Sequence, residues 1–312
     1  MSLIPHIKGR SLFQPSKNNI DFVTLSNYLL TSSIATVLLS LVFLAVQGLN
    51  YGVDFRGGSI IEIRSKNGPP NIESLRETVG SLGLGDIQIQ TFGTDSDLLI
   101  RVEQQKGGEK AQQYALERIL STIGENYEKR RAETVGPTVS EELRTTGLIA
   151  VLCSVLAIIC YVWFRFEWQF AVGAVVALVH DIIITIGVFS IFQLEFDLST
   201  VAALMTILGY SVNDTVVVSD RIRENLKKYK KISLSSLVNR SINETLARTL
   251  MTSLTTLIVL LAIYIFGGQV IRNFTFAMMF GVIIGTYSSI FILGPLLMKL
   301  DVKRDWPNAS NS

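Results

Sequence analysis

Six blocks of mostly apolar residues alternate with polar stretches along this chain, at roughly 26–46, 146–164, 169–192, 198–219, 247–266 and 272–298. About twenty residues of α-helix rise some 30 Å, the thickness of a bilayer's hydrocarbon core, so each block predicts a membrane-spanning helix. One long polar stretch, about residues 50–143, follows another rhythm. Residues 59–64 (Ser-Ile-Ile-Glu-Ile-Arg) predict a strand after a Gly-Gly turn, and 72–82 place Ile72, Leu75, Val79 and Leu82 at helical spacing. Residues 86–91 and 98–103 alternate as strands, 111–123 return to helical spacing through Tyr114, Ile119 and Ile123, and 127–135 close as a strand before Gly136-Pro137. The order βαββαβ is that of a split βαβ, ferredoxin-like domain. The expected fold class is an α-helical integral membrane protein with six transmembrane helices and a small α+β ferredoxin-like domain outside the membrane.

Composition agrees. The chain has 312 residues, 48% of them hydrophobic and only 17% charged, too apolar for an ordinary soluble protein. Cys153 and Cys160 lie two helical turns apart in one apolar block, too far for a disulfide without distorting the helix. With His6 and His180 the only histidines, we expect neither a metal site nor a cofactor. The first block is too long for a signal-peptide core and is expected to be a retained anchor.

Charge sets orientation. Lys8, Arg10 and Lys17 precede the first block. Arg221, Arg223, Lys227, Lys228, Lys230, Lys231 and Arg240 fill the segment after the fourth, and Lys299, Lys303 and Arg304 follow the last. The short loops 193–197 and 267–271 carry no Lys or Arg. The positive-inside rule then puts both termini in the cytoplasm. The expected organisation is a cytoplasmic tail (1–25), a first span (26–46), an extracytoplasmic α+β domain (47–145), a five-helix bundle (146–298) with a cytoplasmic basic loop (220–246), and a second tail (299–312).

Candidate chemistry lies inside the apolar blocks. The fourth contains Gly209-Tyr-Ser-Val-Asn-Asp-Thr215, and a carboxylate at mid-membrane costs about 2.5–3.5 kcal/mol on insertion scales. Thr206, Tyr210, Asn213 and Asp220 share one helical face, with Asp214 about 100° round from Asn213. Arg248 opens the fifth block, followed by Thr252 and Thr255, with Thr245 one turn before it. Asp214 lies about 9 Å above the charged helix end at Asp220-Arg221, and Arg248 about four residues above Glu244, so the two can meet laterally. Burial favours a neutral carboxyl and a nearby guanidinium favours a carboxylate. A pair that forms in one state and breaks in another would bind and release a proton, and a proton crossing the membrane gains about 2.3 kcal/mol per 100 mV. A static ion pair holding the bundle together is the competing reading. His180 and Asp181 in the third block are either a proton relay toward Asp214 or a structural anchor, and their side chains need not share a partner. Gly281 and Gly285 form a GxxxG pattern that predicts close helix packing. Gly57-Gly58 is read as a turn rather than a phosphate cradle, and the polar domain shows no catalytic constellation.

Several stretches together resemble the SecF subunits of the SecD/SecF family. They are Tyr51-Gly-Val-Asp-Phe-Arg-Gly-Gly58, Val135-Gly-Pro-Thr-Val139, Val179-His-Asp181, Gly209-Tyr-Ser-Val-Asn-Asp-Thr215, Ser219-Asp-Arg-Ile-Arg-Glu-Asn225 and Ala247-Arg-Thr-Leu250. The resemblance implies one six-helix repeat of the RND type, paired with a second repeat supplied by SecD. It implies a non-enzymatic subunit of the bacterial inner membrane, using the proton-motive force to complete preprotein export. The implied surroundings are the SecYEG channel, YajC, YidC, membrane lipid and, indirectly, the SecA motor, with no nucleic acid. The resemblance also makes Asp214 and Arg248 proton-path residues, with Asn213, Asp181 and His180 as further candidates. A proton-coupled small-molecule exporter half of the RND type, and a passive scaffold, are the alternatives.

Overall fold

The computed structural model describes residues 20–268, 270–300 and 302. His6, Lys8, Arg10, Lys17, Lys303 and Arg304, and with them most of both predicted tails, lie outside the described residues. Helix α1 (Phe22–Val46) starts where the Asp21 side chain accepts from the Thr24 amide, and leads through β1 (Asn50–Tyr51) and α2 (Val53–Arg56) into the head. The head comprises β2 (Gly58–Ser65), α3 (Ile72–Gly80), β3 (Ile87–Phe92), β4 (Thr94–Val102), α4 (Gly108–Ile123) and β5 (Tyr127–Val135). Its sheet runs β3-β4-β2-β5 with every neighbouring pair antiparallel, the split βαβ arrangement that the alternation predicts.

Period-2 alternation divides the sheet into two faces. Ile61, Ile63, Leu98, Ile100 and Val102 are buried on one, packed with Leu75 and Val79 of α3 and Ala115, Ile119 and Ile123 of α4. Glu62, Arg101 and Arg131 project from the other, where Glu62 and Arg131 line a cleft shared with Glu195, Asp197 and Asn273 of the helical part and Arg101 lines a second cleft with Tyr51 and Arg56. The Gly57-Gly58 turn starts β2 with φ values of +74° and +122°, conformations that L-residues rarely adopt. A Cβ on Gly58 would also strike the carbonyl of Val102.

The remaining helices are α5 (Pro137–Arg165), α6 (Trp168–Ile191), α7 (Leu198–Lys228), α8 (Leu234–Phe266), α9 (Arg272–Phe291) and α10 (Leu293–Lys299), with β6 (Glu195–Phe196) before α7. Among the described residues six segments are long and apolar enough to cross a membrane: α1, α5, α6, α7, α8, and α9 with α10 together. The last is interrupted at Ile292 because Pro295 has no amide to bond Phe291 and its ring crowds that carbonyl. The helices outrun the predicted spans. Gly136-Pro137 ends β5 at Val135, as the pattern predicts, and Pro137 also opens α5, since its missing N–H would be unbonded in the first turn in any case. The basic segment 220–246, expected as a loop, is helical apart from 229–233.

The six spans form two layers. More than half of the residues in the apolar windows of α6, α7 and α9–α10 are buried, while α1, α5 and α8 keep most of theirs exposed. Their outward faces carry side chains such as Leu38, Leu152, Leu156, Ile258 and Val259, the surface expected of helices bathed in lipid. Small residues set the inner spacing. A Cβ on Gly281 would overlap Ile207 of α7, and one on Gly187 would overlap Ser40 of α1, so the GxxxG pattern does mark close packing.

The head is joined to the helix that carries Asp214. β1 and β6 pair in parallel, Asn50 opposite Glu195 and Tyr51 opposite Phe196. Asp54 accepts the Leu198 amide at 2.9 Å, and Asp197 caps α7 by accepting from the Thr200 amide at 2.7 Å. Arg101 of β4 forms an ion pair with Glu195. Burial pushes the Glu195 carboxyl above the usual carboxylate range, with Arg101 pulling the other way.

Candidate functional site

Among the described residues two aspartates are buried, both in the inner helices. Asp181 of α6 is 1% exposed, and both of its oxygens are bonded. Oδ1 lies 2.9 Å from His180 Nδ1, while Oδ2 accepts from Ser211 of α7 at 2.6 Å and from Ser288 of α9 at 2.8 Å. One carboxylate thus ties three helices together. Gly285 makes room for it: a Cβ there would lie 3.2 Å from Ser211 Cβ and 3.5 Å from Asp181 Oδ2. His180 and Asp181, which as adjacent helical residues need not share a partner, bond each other directly. The His180 ring also stacks on Tyr287, whose hydroxyl lies 2.8 Å from Ser33 Oγ and donates to the Leu29 carbonyl at 2.9 Å, extending the network to α1.

Asp214 is buried as deeply, at 3% exposure, but its Oδ2 has no hydrogen-bond partner among the described residues. Arg248 of α8 is the cation whose charge reaches it. The two stand at the level that counting from the charged helix ends predicts, because those ends are themselves paired: Arg221 bonds Glu244 at 2.7 Å. Yet no ion pair within 4.0 Å joins Asp214 to Arg248 among the described residues, and Arg248 lies on the exposed side of α8. Asn213 and Thr206 are exposed as well, on the outer face of α7, while Tyr210 turns inward far enough to reach Ser253 at 3.5 Å. The stripe read along α7 therefore faces outward at Thr206 and Asn213, while Asp214, about 100° round from Asn213, lies on the buried side.

Several members of this core escaped sequence reasoning. Ser211 sits inside the quoted GYSVNDT run and lies three residues from Asp214, so helical periodicity alone could have placed it on the buried side. Ser288 and Tyr287 carry no such signal. Ser253 and Thr286, 2.6 Å apart, extend the polar path between α8 and α9. The cytoplasm-predicted helix ends hold ion pairs that anchor the bundle: Arg165 to Asp220 at 3.3 Å and Arg223 to Glu167 at 3.0 Å, with Asn225 bonding Ser241 at 2.9 Å.

A six-span helical unit with a small α+β head and a titratable cluster inside the bundle defines a multi-pass membrane protein built for a task within the bilayer. Comparison with known proteins specifies the group. Residues 115–303 match the family "Protein export membrane protein SecD/SecF, C-terminal", and residues 42–68 match the "SecD/SecF GG Motif", which includes the strained Gly57-Gly58 turn. The protein translocase subunit SecF of Rickettsia bellii is 45% identical over 287 residues, covering 91% of this chain and 94% of that one. The protein translocase subunit SecDF of Brucella abortus is 40% identical over 296 residues, 95% of this chain but 39% of the longer protein. The crystal structure of SecDF, a translocon-associated membrane protein from Thermus thermophilus, superposes with a TM-score of 0.80 at 36% identity. This chain is covered to 91% in that superposition and spans 39% of the SecDF chain. The chain belongs to the SecD/SecF family of protein export membrane proteins, and its likeness extends over nearly the full length of the SecF relatives.

Proposed function

We propose that this protein is the SecF-type partner of SecD in the Sec translocase and that it couples the proton-motive force to the completion of preprotein export. The single observation that carries the reading is Asp214: a carboxylate buried in a membrane helix, one oxygen unbonded, with Arg248 near but not paired to it. A carboxylate fixed in an ion pair has no reason to exchange protons; one held just short of its cation has two arrangements available. Protonation permits the separated arrangement, and release of the proton restores the attraction to Arg248. Fused SecDF relatives support association with SecD, whose six-helix repeat would complete the path that the outward-facing Asn213 and Arg248 leave at the surface of this one.

In this reading the protein lies in the bacterial inner membrane with both termini cytoplasmic. The head, about 47–145, is extracytoplasmic. It works beside the SecYEG channel with YajC and YidC, and SecA supplies the ATP-driven stage while this chain acts as a proton-coupled subunit without an ATPase site. Displacement at Asp214 would pass along α7 to the Asp197 cap and the Arg101–Glu195 pair, and so into the head that meets the preprotein.

Asp214→Asn keeps size and polarity but cannot exchange a proton. In inverted membrane vesicles containing the whole translocase, we expect it to remove the uncoupler-sensitive part of preprotein translocation, at least tenfold, with assembly onto SecD unchanged. Undiminished stimulation by the gradient would end the proton-path reading.

A further inference from the structure

Antiparallel α7 and α8 meet in a ladder of polar rungs. Tyr210 Oη reaches Ser253 Oγ at 3.5 Å, Arg221 bonds Glu244 at 2.7 Å, and Asn225 bonds Ser241 at 2.9 Å. One turn along α7 from Tyr210 is Asp214, and one turn back along α8 from Ser253 is Thr249, so these two occupy the next rung. Both are buried, to 3% and 1% exposure, whereas Arg248 and Leu250 on either side of Thr249 are exposed. Asp214 Oδ2 and Thr249 Oγ1 are both buried polar atoms without a hydrogen-bond partner among the described residues.

Thr249 is set apart from its neighbours by what its hydroxyl does not do. A helical threonine ordinarily returns its hydroxyl to a carbonyl one turn back. On α8 Thr245 bonds Ser241 O, Thr252 bonds Arg248 O, Thr255 bonds Met251 O and Thr256 bonds Thr252 O. Thr249 alone among these keeps its hydroxyl free of its own helix, level with a carboxylate oxygen that also lacks a partner. Leaving two such atoms dry costs about 1–3 kcal/mol each, and a buried water satisfies polar groups of this kind when it has two to four partners.

We propose that Asp214 Oδ2 and Thr249 Oγ1 hold one water between α7 and α8, and that Thr249 is the positioning residue for the proton carrier. This rests on the proton-path reading of Asp214. A carboxylate accepts from that water while the threonine hydroxyl fixes its orientation. A proton arriving on the water moves to Oδ2 as one O–H bond breaks at the water and another forms at the carboxylate, leaving water and the neutral acid; release is the reverse. A monovalent cation fits the rung less well, since these two side chains supply only two oxygens.

The test compares Thr249→Val, which keeps the shape and removes the hydroxyl, with Thr249→Ser, which keeps the hydroxyl, in vesicles with SecD present. Asp214→Asn is measured beside them. We expect Thr249→Val to slow gradient-driven translocation about tenfold, the scale of one lost buried hydrogen bond. It should also alter the pH profile and the solvent deuterium isotope effect, and Thr249→Ser should restore all three. Full activity in Thr249→Val with loss in Asp214→Asn overturns the water site and leaves the proton path standing. Gradient dependence surviving Asp214→Asn overturns the path itself. Equal loss in the Val and Ser variants makes Thr249 a packing residue and overturns the proposal. Wild-type translocation that follows a sodium gradient at constant proton gradient replaces the water by a cation and overturns it too.

Discussion

Asp181 and Asp214 are both nearly inaccessible, both in the inner layer and only one neighbouring helix apart, yet they are treated oppositely. Asp181 has a hydrogen-bond partner on each oxygen and joins α6, α7 and α9; Asp214 has an unbonded oxygen and a cation held at a distance. The difference teaches how to tell a structural carboxylate from an exchangeable one when burial is equal. A carboxylate whose bonds are all made loses several of them on any change of state. One that is left short of a partner changes state at little cost to the fold.

That contrast is open to measurement, first through stability. Asp181→Ala removes the hub and strands Ser211, Ser288 and His180, so it should destabilise the bundle by about 3 kcal/mol in a reversible detergent unfolding assay. A cost below about 1 kcal/mol would show that the three helices do not depend on it. Glu195, half-way between the two cases, is half-buried and has Arg101. Arg101→Met should cost about 1–2 kcal/mol at neutral pH by leaving the carboxylate unpaired. The sign with pH follows from the raised value in the folded state. The folded protein takes up a proton at a pH where the unfolded chain does not, so this contribution is full below the ordinary carboxylate range and is lost as pH rises through the folded value. The penalty of Arg101→Met should therefore shrink on acidification; a penalty that is flat or grows there would contradict the assignment. Ser288→Ala, which takes away one of Asp181's bonds, should cost about 1 kcal/mol in the same assay. Asp214→Asn should change stability by less than about 0.5 kcal/mol, and a loss comparable with Asp181→Ala would erase the distinction.

Much of this was legible in the chain. Blocks of apolar residues report helices directly, because only lipid or a buried core tolerates them at that length. The head's strands and helices appear in the sequence as a change of period from 2 to 3.6, and the sheet order follows the split βαβ pattern. Gly136-Pro137 marked the end of β5, but the start of α5 there, some nine residues before the apolar block, was not legible because the first turn of that helix is polar. Segment 220–246 misled because charge was taken for loop, while the helices simply continue past the apolar zone. At the site, depth counting put Asp214 level with Arg248 because Arg221 and Glu244 mark facing helix ends. It could not show that the pair stops short of contact, since rotamers and sub-turn rotations decide that. The partners of Asp181 were hidden for another reason: Ser211 and Ser288 lie 30 and 107 residues away, and one serine in an apolar helix looks like any other. Thr249 was hidden among four threonines that bond their own helix.

The most direct measurement is infrared difference spectroscopy on the assembled translocase in vesicles as a proton gradient is imposed and collapsed. We predict a carboxyl carbonyl band that responds to the gradient, persists in Ser288→Ala and disappears in Asp214→Asn. A gradient-responsive band that survives Asp214→Asn would place the exchanging proton on another group and contradict the division of labour between the two aspartates.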